Sequence, residues 1–100
     1  MGMDMKSIQK MQQRLEKMQQ ELAETMIEGS AGGGAVTARV TGAREFAGIK
    51  IEPSAVDPDD VEMLEDLITV AIQDAMAKAA TVAEQKMGAL TGGLKIPGLM

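Results

Sequence analysis

One hundred residues carrying a net charge of −5 confine the chain to a single domain and exclude a bulk basic nucleic-acid binder. The absence of His, Cys, Trp and Tyr removes thiol nucleophiles, disulfides, Cys- or His-based metal sites and imidazole acid–base chemistry. What is left makes interfaces: 45% of the residues are hydrophobic, ten are Met, and Phe46 is the only aromatic.

A chain of this size buries about two-thirds of its surface at best, so association is the expected source of the missing core. Methionines fill irregular gaps between helices and also suit adaptable binding surfaces, the core role being the simpler one. No apolar run approaches the ~18 residues of a membrane span. The first residues carry Asp4, Lys6 and Gln9 and lack a signal-peptide core. With no cysteine, the expected setting is the cytoplasm. Charge is unevenly spread. Residues 5–20 hold four basic residues and one acidic, whereas residues 57–66 hold six acidic and no basic. A polyanion would have to meet the first region and avoid the second.

Residues 5–27 contain no Gly or Pro and predict a first helix about 35 Å long. Ile8, Met11, Leu15, Met18 and Leu22 alternate spacings of three and four, a heptad seam that should pack on another long helix; Thr25 and Met26 follow at its next position. Lys6, Lys10, Arg14 and Lys17 share another face, roughly opposite the seam. The plain reading is a solvated helix face. The functional reading rests on placement: the basic residues come first and Glu21, Glu24 and Glu28 come later, the reverse of what the helix macrodipole favours.

The run Gly29-Ser30-Ala31-Gly32-Gly33-Gly34 ends that helix. It follows a helix and opens a strand, the wrong context for a phosphate loop, and fits a hairpin or edge strand. Val36, Ala38 and Val40 alternate with Thr37, Arg39 and Thr41 as one strand; Gly42-Ala43-Arg44-Glu45 is a turn; Ala47, Ile49 and Ile51 alternate with Gly48, Lys50 and Glu52 as the next, stopped by Pro53. The outward Arg39, Arg44 and Lys50 are mildly basic. Asp57-Pro58-Asp59-Asp60 then predicts a helix start, with Asp57 as cap and Pro58 at the first position. Without His or the spaced oxygen ligands of a calcium loop, these acids predict no metal site. The second helix spans about 58–87, and its stripe includes Leu64, Ile68, Ala71, Ile72, Ala75 and Met76. Its many alanines predict close helix approach across a subunit interface, so these six are the candidate dimer contacts. Gly88 is the expected terminator. Residues 89–100 read as a sticky tail holding Leu94, Ile96, Leu99 and Met100.

Taken in order, Lys10-Met11-Gln12, the run from Glu28 to Gly34 leading into Val36 to Gly42, Ile49-Lys50-Ile51-Glu52-Pro53, Asp57 to Asp60, Glu62-Met63-Leu64-Glu65-Asp66-Leu67-Ile68, Asp74-Ala75 and Lys86-Met87 resemble the YbaB/EbfC family of bacterial nucleoid-associated proteins. The resemblance covers nearly the whole chain. It implies an α+β fold, an α-β-β-β-α protomer in a tweezer-like homodimer. One domain would cover residues 1–88, with helices at about 5–27 and 58–87 and strands at about 27–33, 35–41 and 46–52. The first of these strands is implied by the resemblance alone. It also implies duplex DNA as partner, bound with little sequence preference by helical arms, in nucleoid organisation and gene regulation. Carried over by position, the DNA-binding residues are Lys6, Lys10, Arg14 and Lys17, with Lys78 and Lys86 secondary. No cofactor, membrane or small-molecule substrate is expected. This chain departs from the family in its acidic balance.

Two rivals stand beside this reading. A coiled-coil interaction protein or prefoldin-like holdase suits the Met-rich seam and the negative charge, and would tolerate reversal of the basic face. An enzyme would have only carboxylates and lysines to work with, and no nucleophile–base pair is set up by their spacing.

Overall fold

The computed structural model describes residues 4–90. The elements are α1 (Met5–Glu24), β1 (Met26–Ala31), β2 (Val36–Thr41), β3 (Phe46–Ile51), a single 3-10 turn (Pro53–Ala55) and α2 (Val61–Leu90). The α-β-β-β-α order and the α+β class are as expected. The three strands form an antiparallel sheet in the order β1-β2-β3.

One helix, α1, opens on Asp4, whose carboxylate accepts a hydrogen bond from the Ser7 amide at 2.8 Å. That amide holds the Asp4 carboxyl below the ordinary carboxylate range. The helix ends at Glu24, three residues before the expected boundary. Thr25 is extended, its hydroxyl donating to the Glu21 carbonyl and its amide to that of Leu22. Met26 therefore belongs to β1 and not to the helical seam. Sheet pairing and burial of Ile27 outweigh local helix propensity there.

Along β1, burial alternates strictly, with Ile27, Gly29 and Ala31 inward. Across the register these face Val40, Ala38 and Val36 of β2. The hairpin between the two strands holds Gly32, Gly33 and Gly34 at φ of 64°, 68° and 97°, the left-handed region that side chains resist. Below this surface lies α2. Val36, Ala38, Val40, Ala71, Ala75 and Ala79 are all 0% exposed, and they form the centre of the core. Gly29 explains the alanines: a Cβ there would run into the Ala75 backbone nitrogen and stand 2.6 Å from the Ala71 carbonyl oxygen. The close approach read from the alanines is therefore of helix to sheet inside the protomer. Ala71 and Ala75 are spent on it.

The second helix begins later than expected. Asp57 accepts from the Asp59 amide in a tight turn, and Asp60 accepts from the Met63 amide at 3.2 Å, so Asp60 and not Asp57 satisfies the first turn. Nor does Gly88 stop the helix, which runs on to Leu90; an interior Gly costs about 1 kcal/mol relative to Ala, too little to break thirty residues of helix. Ala89 and Leu90 of the expected tail are thus helical, and residues 91–100 lie outside the described part.

With 30 residues, α2 is about 45 Å long against about 20 Å for a six-residue strand. Its C-terminal end overhangs the sheet and runs antiparallel to α1: Ala83 and Met87 adjoin Met18 and Leu22, while Ala89 and Leu90 adjoin Arg14 and Lys17. The result is elongated, 67 × 28 × 16 Å, with a radius of gyration of 19.0 Å where a compact 100-residue domain has about 13 Å.

Candidate nucleic-acid interface

The basic row of α1 is carried on the least buried element. Lys6, Lys10, Arg14 and Lys17 are all exposed. The seam residues Met11, Leu15 and Met18 are half-buried, and only Leu22 is buried, at the root of the helix. Among the described residues, none of the four cations forms an ion pair; the pairs that do form are Arg39–Glu28, Lys78–Asp74 and Lys86–Glu21. The row therefore presents its charge to solvent without internal neutralisation.

The two secondary candidates stand differently. Lys78 sits 3.0 Å from Asp74 and donates to the Glu28 carbonyl at 3.4 Å. The same Asp74 oxygen accepts the Ser30 amide at 3.0 Å. The Ser30 amide first, and Lys78 after it, hold the Asp74 carboxyl below the ordinary range. Together Asp74 and Lys78 occupy two polar groups on the outer edge of β1, which an open sheet would leave unpaired. Lys86 pairs with Glu21 at 3.5 Å and ties the overhanging end of α2 to α1. Both lysines thus carry an internal partner.

Charge is polarised along the molecule. Gly32, at the far end of β1, approaches Leu67, so α2 starts at the end of the sheet away from α1. The acids of residues 57–66 and the basic row therefore lie at opposite ends of the long axis. One strand and half of α1 separate them by about 30 Å. That is about three Debye lengths at 0.1 M salt, so a polyanion on α1 hardly feels those acids. The net charge is a poor guide to the field at this face.

A second surface is apolar and was missed in the sequence. Cross-strand pairing puts Ile51 opposite Val36, Ile49 opposite Ala38 and Phe46 opposite Val40, all on the helix-facing side. A register shift at Arg39/Val40 is what brings Phe46, not Ala47, into that row. Yet α2 lies over β1 and β2, leaving Phe46 55% and Ile49 37% exposed. Since Asp74 and Lys78 fix the flank of α2 that faces the β1 edge, the helical period turns Ile68, Ile72 and Met76 to the other flank, on the side where β3 lies uncovered. These three are only partly buried, as is Leu64. The alternation of β3 was visible in the sequence. Which half of the sheet the helix would leave open was not.

Comparison with known proteins supports the fold and the family. A nucleoid-associated protein of Chloroflexus aurantiacus is 56% identical over 91 residues, 91% of each chain. Another, of Alkaliphilus metalliredigens, is 52% identical over 95% of this chain and 83% of its own. The crystal structure of an uncharacterized protein from Helicobacter pylori superposes with a TM-score of 0.68 over 93% of this chain and 98% of its own, at 18% identity, a likeness of fold. The sequence model of the YbaB/EbfC DNA-binding family matches residues 1–94, and with a whole-length match of this kind beside the α-β-β-β-α order and relatives above 50% identity, the chain belongs to that family.

Proposed function

We propose that this protein is a non-enzymatic nucleoid-associated protein that binds duplex DNA through the basic face of α1. The observation that carries this is the row Lys6, Lys10, Arg14 and Lys17, exposed, without ion pairs among the described residues, and remote from the acidic end. Family membership and the names of the relatives support the same reading. Such a row neutralises phosphates and releases counterions, which gives strong salt dependence and little base readout. Phe46 stands alone on the sheet, so there is no stacking platform for single strands. The site of action is the nucleoid, in its organisation and in gene regulation.

The partner in the assembly is a second copy. What β3 lacks is a helix over its apolar face, and each protomer carries one with an apolar flank, Ile68, Ile72 and Met76, beside that same opening. Two copies related by a two-fold axis would each cover the other's β3 and present two arms, eight basic residues in all. Of the six sequence candidates for this interface, Leu64, Ile68, Ile72 and Met76 keep a role; Phe46 and Ile49 join them. Ile49→Glu should give a folded monomer by sedimentation; an unchanged dimer would place the contact elsewhere.

DNA binding is tested by fluorescence anisotropy on a labelled duplex of ~30 base pairs at several salt concentrations, the site being a few helical turns long. The wild-type chain should bind with an affinity that falls steeply with salt, and Lys6→Glu/Lys10→Glu/Arg14→Glu should abolish binding with the dimer intact. No binding at low salt would exclude DNA as the direct ligand. The rival, an interaction protein or holdase, draws on one observation, the exposed apolar seam end at Met5 (71%) and Ile8 (40%). Its activity would survive the triple charge reversal.

A further inference from the structure

The arm is fastened to the body at two levels of different strength. At its root the backbone takes part. A Cβ on Gly42 would stand 2.8 Å from the Leu22 carbonyl oxygen, so the turn between β2 and β3 lies directly on the last turn of α1. The Gly42 amide donates to the Thr25 carbonyl at 2.9 Å, and Leu22 is buried. One helical turn further out, side chains make the contact. Met18 of α1 lines a groove of about 520 Å³ with Leu22 and with Ala83 and Met87 of α2. Beside it stands the Lys86–Glu21 pair at 3.5 Å, half in solvent and therefore weak.

Two methionines at such a contact carry a chemical consequence. A thioether is flexible enough to fill a loose groove, but oxidation makes it a polar sulfoxide that disrupts methionine-rich contacts. The reaction needs a reachable sulfur; Met87 is 44% exposed and Met18 half-buried. The groove also gives the new oxygen somewhere to go. Against Leu22 and Ala83 it would lose water without gaining a partner. Gln19 and Arg44 line the same groove and carry N–H donors. Oxidation therefore draws the side chain off the apolar contact and towards those two residues. Other methionines differ in what they hold. Met5, Met26 and Met63 are also exposed, but they stand at the tip of α1, on the outward side of β1 and in the first turn of α2. Met76 packs, partly buried, against the core.

We propose that Met18 and Met87 form an oxidation-sensitive joint, at which a peroxide-class oxidant frees α1 from α2 down to its clamped root. In the step, the peroxide O–O bond breaks as an S–O bond forms. Sulfur gives up two electrons and becomes a sulfoxide, and the second peroxide oxygen, taking the proton of the first, leaves as water. The arm then swings about Leu22 while the sheet and α2 keep their packing. The inference concerns the joint and stands whatever α1 binds.

Hydrogen peroxide is the probe, applied to the full chain. Peptide mass spectrometry locates the added oxygen, and amide exchange reads the arm. As Met18 and Met87 are oxidised, exchange across residues 8–18 should speed up severalfold with β2 amides unchanged. Met18→Leu/Met87→Leu nearly conserves volume and removes both sulfurs. With Met5, Met26 and Met63 still oxidised, its α1 exchange should stay slow. Methionine sulfoxide reductases for both epimers should return the oxidised wild-type chain to slow exchange. The β2 amides report in every sample that the body is folded. Unaltered α1 exchange after oxidation of Met18 and Met87, equal acceleration in the double variant, or acceleration of β2 together with α1 would each overturn the joint. So would resistance of both sulfurs to peroxide until the protein unfolds.

Discussion

In the body, β1, β2 and α2 bury small residues completely: Ala38, Ala71, Ala75 and Ala79 are 0% exposed beside Val36 and Val40. In α1, a helix of 20 residues, only Leu22 is buried. The body is held by close approach and the arm by its own helical hydrogen bonds, its cap and contacts at its root. Stability and ligand binding should accordingly separate. Changes in the body should unfold the protein, whereas changes on the outer arm should alter what it binds and leave the melting transition in place.

The sharpest way to expose that division is Gly29→Val. Any side chain there meets the α2 backbone at Ala71 and Ala75, which cannot yield without lifting the helix off the sheet. A loss of about 3 kcal/mol in urea unfolding is expected. A loss below about 1 kcal/mol, the ordinary effect of a substitution, would mean that α2 does not lie on β1 as described.

A matched pair of truncations comes next. Val40→Ala removes two fully buried methyl groups and should cost about 2 kcal/mol. Leu15→Ala deletes a larger side chain from the half-buried arm seam, yet should shift global unfolding by less than about 1 kcal/mol. Equal costs would show that the arm belongs to the same cooperative unit as the core.

These two regions were not equally legible in the sequence. β2, β3 and both long helices announce themselves by period. β1 does not, because its central inward residue is Gly29, and an alternation whose middle member has no side chain cannot be seen as hydrophobic. It came from family resemblance. The alanines of α2 were visible, but small residues record only that something comes close; Gly29 shows that it is the sheet. The sequence points to Asp57 as the cap of α2 because Pro58 follows it, and only the turn that engages Asp57 hands that role to Asp60. The bulge that swaps Phe46 for Ala47 depends on β2–β3 pairing, which no local pattern encodes. For the candidate site the basic row was legible as spacing. That Lys86 pairs with Glu21 was not, since the two are far apart in sequence, whereas Asp74 stands four residues before Lys78, at ordinary helix-pair spacing.

The edge of β1 is where body and surface meet, and pH probes it. Asp74 is held below its ordinary value by the Ser30 amide and then Lys78. A carboxyl depressed in the folded state stabilises it above the unfolded value, about 3.9 for Asp. That contribution is lost as pH falls through the lower folded value. Wild type and Asp74→Asn should therefore differ in stability by a constant amount between pH 7 and pH 5, and converge in the acid range below the ordinary Asp value. Asp4 titrates in the same direction but is common to both chains, so the difference isolates Asp74. Amide exchange at Ser30 should be severalfold faster in the variant at neutral pH.

The smallest effect on stability, and the finest test of which cations serve the arm, lies at Lys86. Its pair with Glu21 is 3.5 Å long with side chains 35% and 47% exposed, and such surface pairs contribute up to about 1 kcal/mol. Lys86→Ala should barely move the melting transition. Its effect on DNA depends on whether the paired charge is available. Each phosphate neutralised contributes about 0.9 to the slope of log affinity against log salt. Lys10→Ala, removing an unpaired cation, should lower that slope by about one per arm, whereas Lys86→Ala should leave it unchanged because Glu21 already answers the charge. Glu21→Gln reverses the situation. It frees Lys86 beside Arg14 and Lys17, the residues with which it lines the groove, and should steepen the slope and tighten binding at low salt. If Lys86→Ala instead lowers the slope as Lys10→Ala does, the ion pair opens on the duplex, and the interface extends from α1 onto the overhanging end of α2.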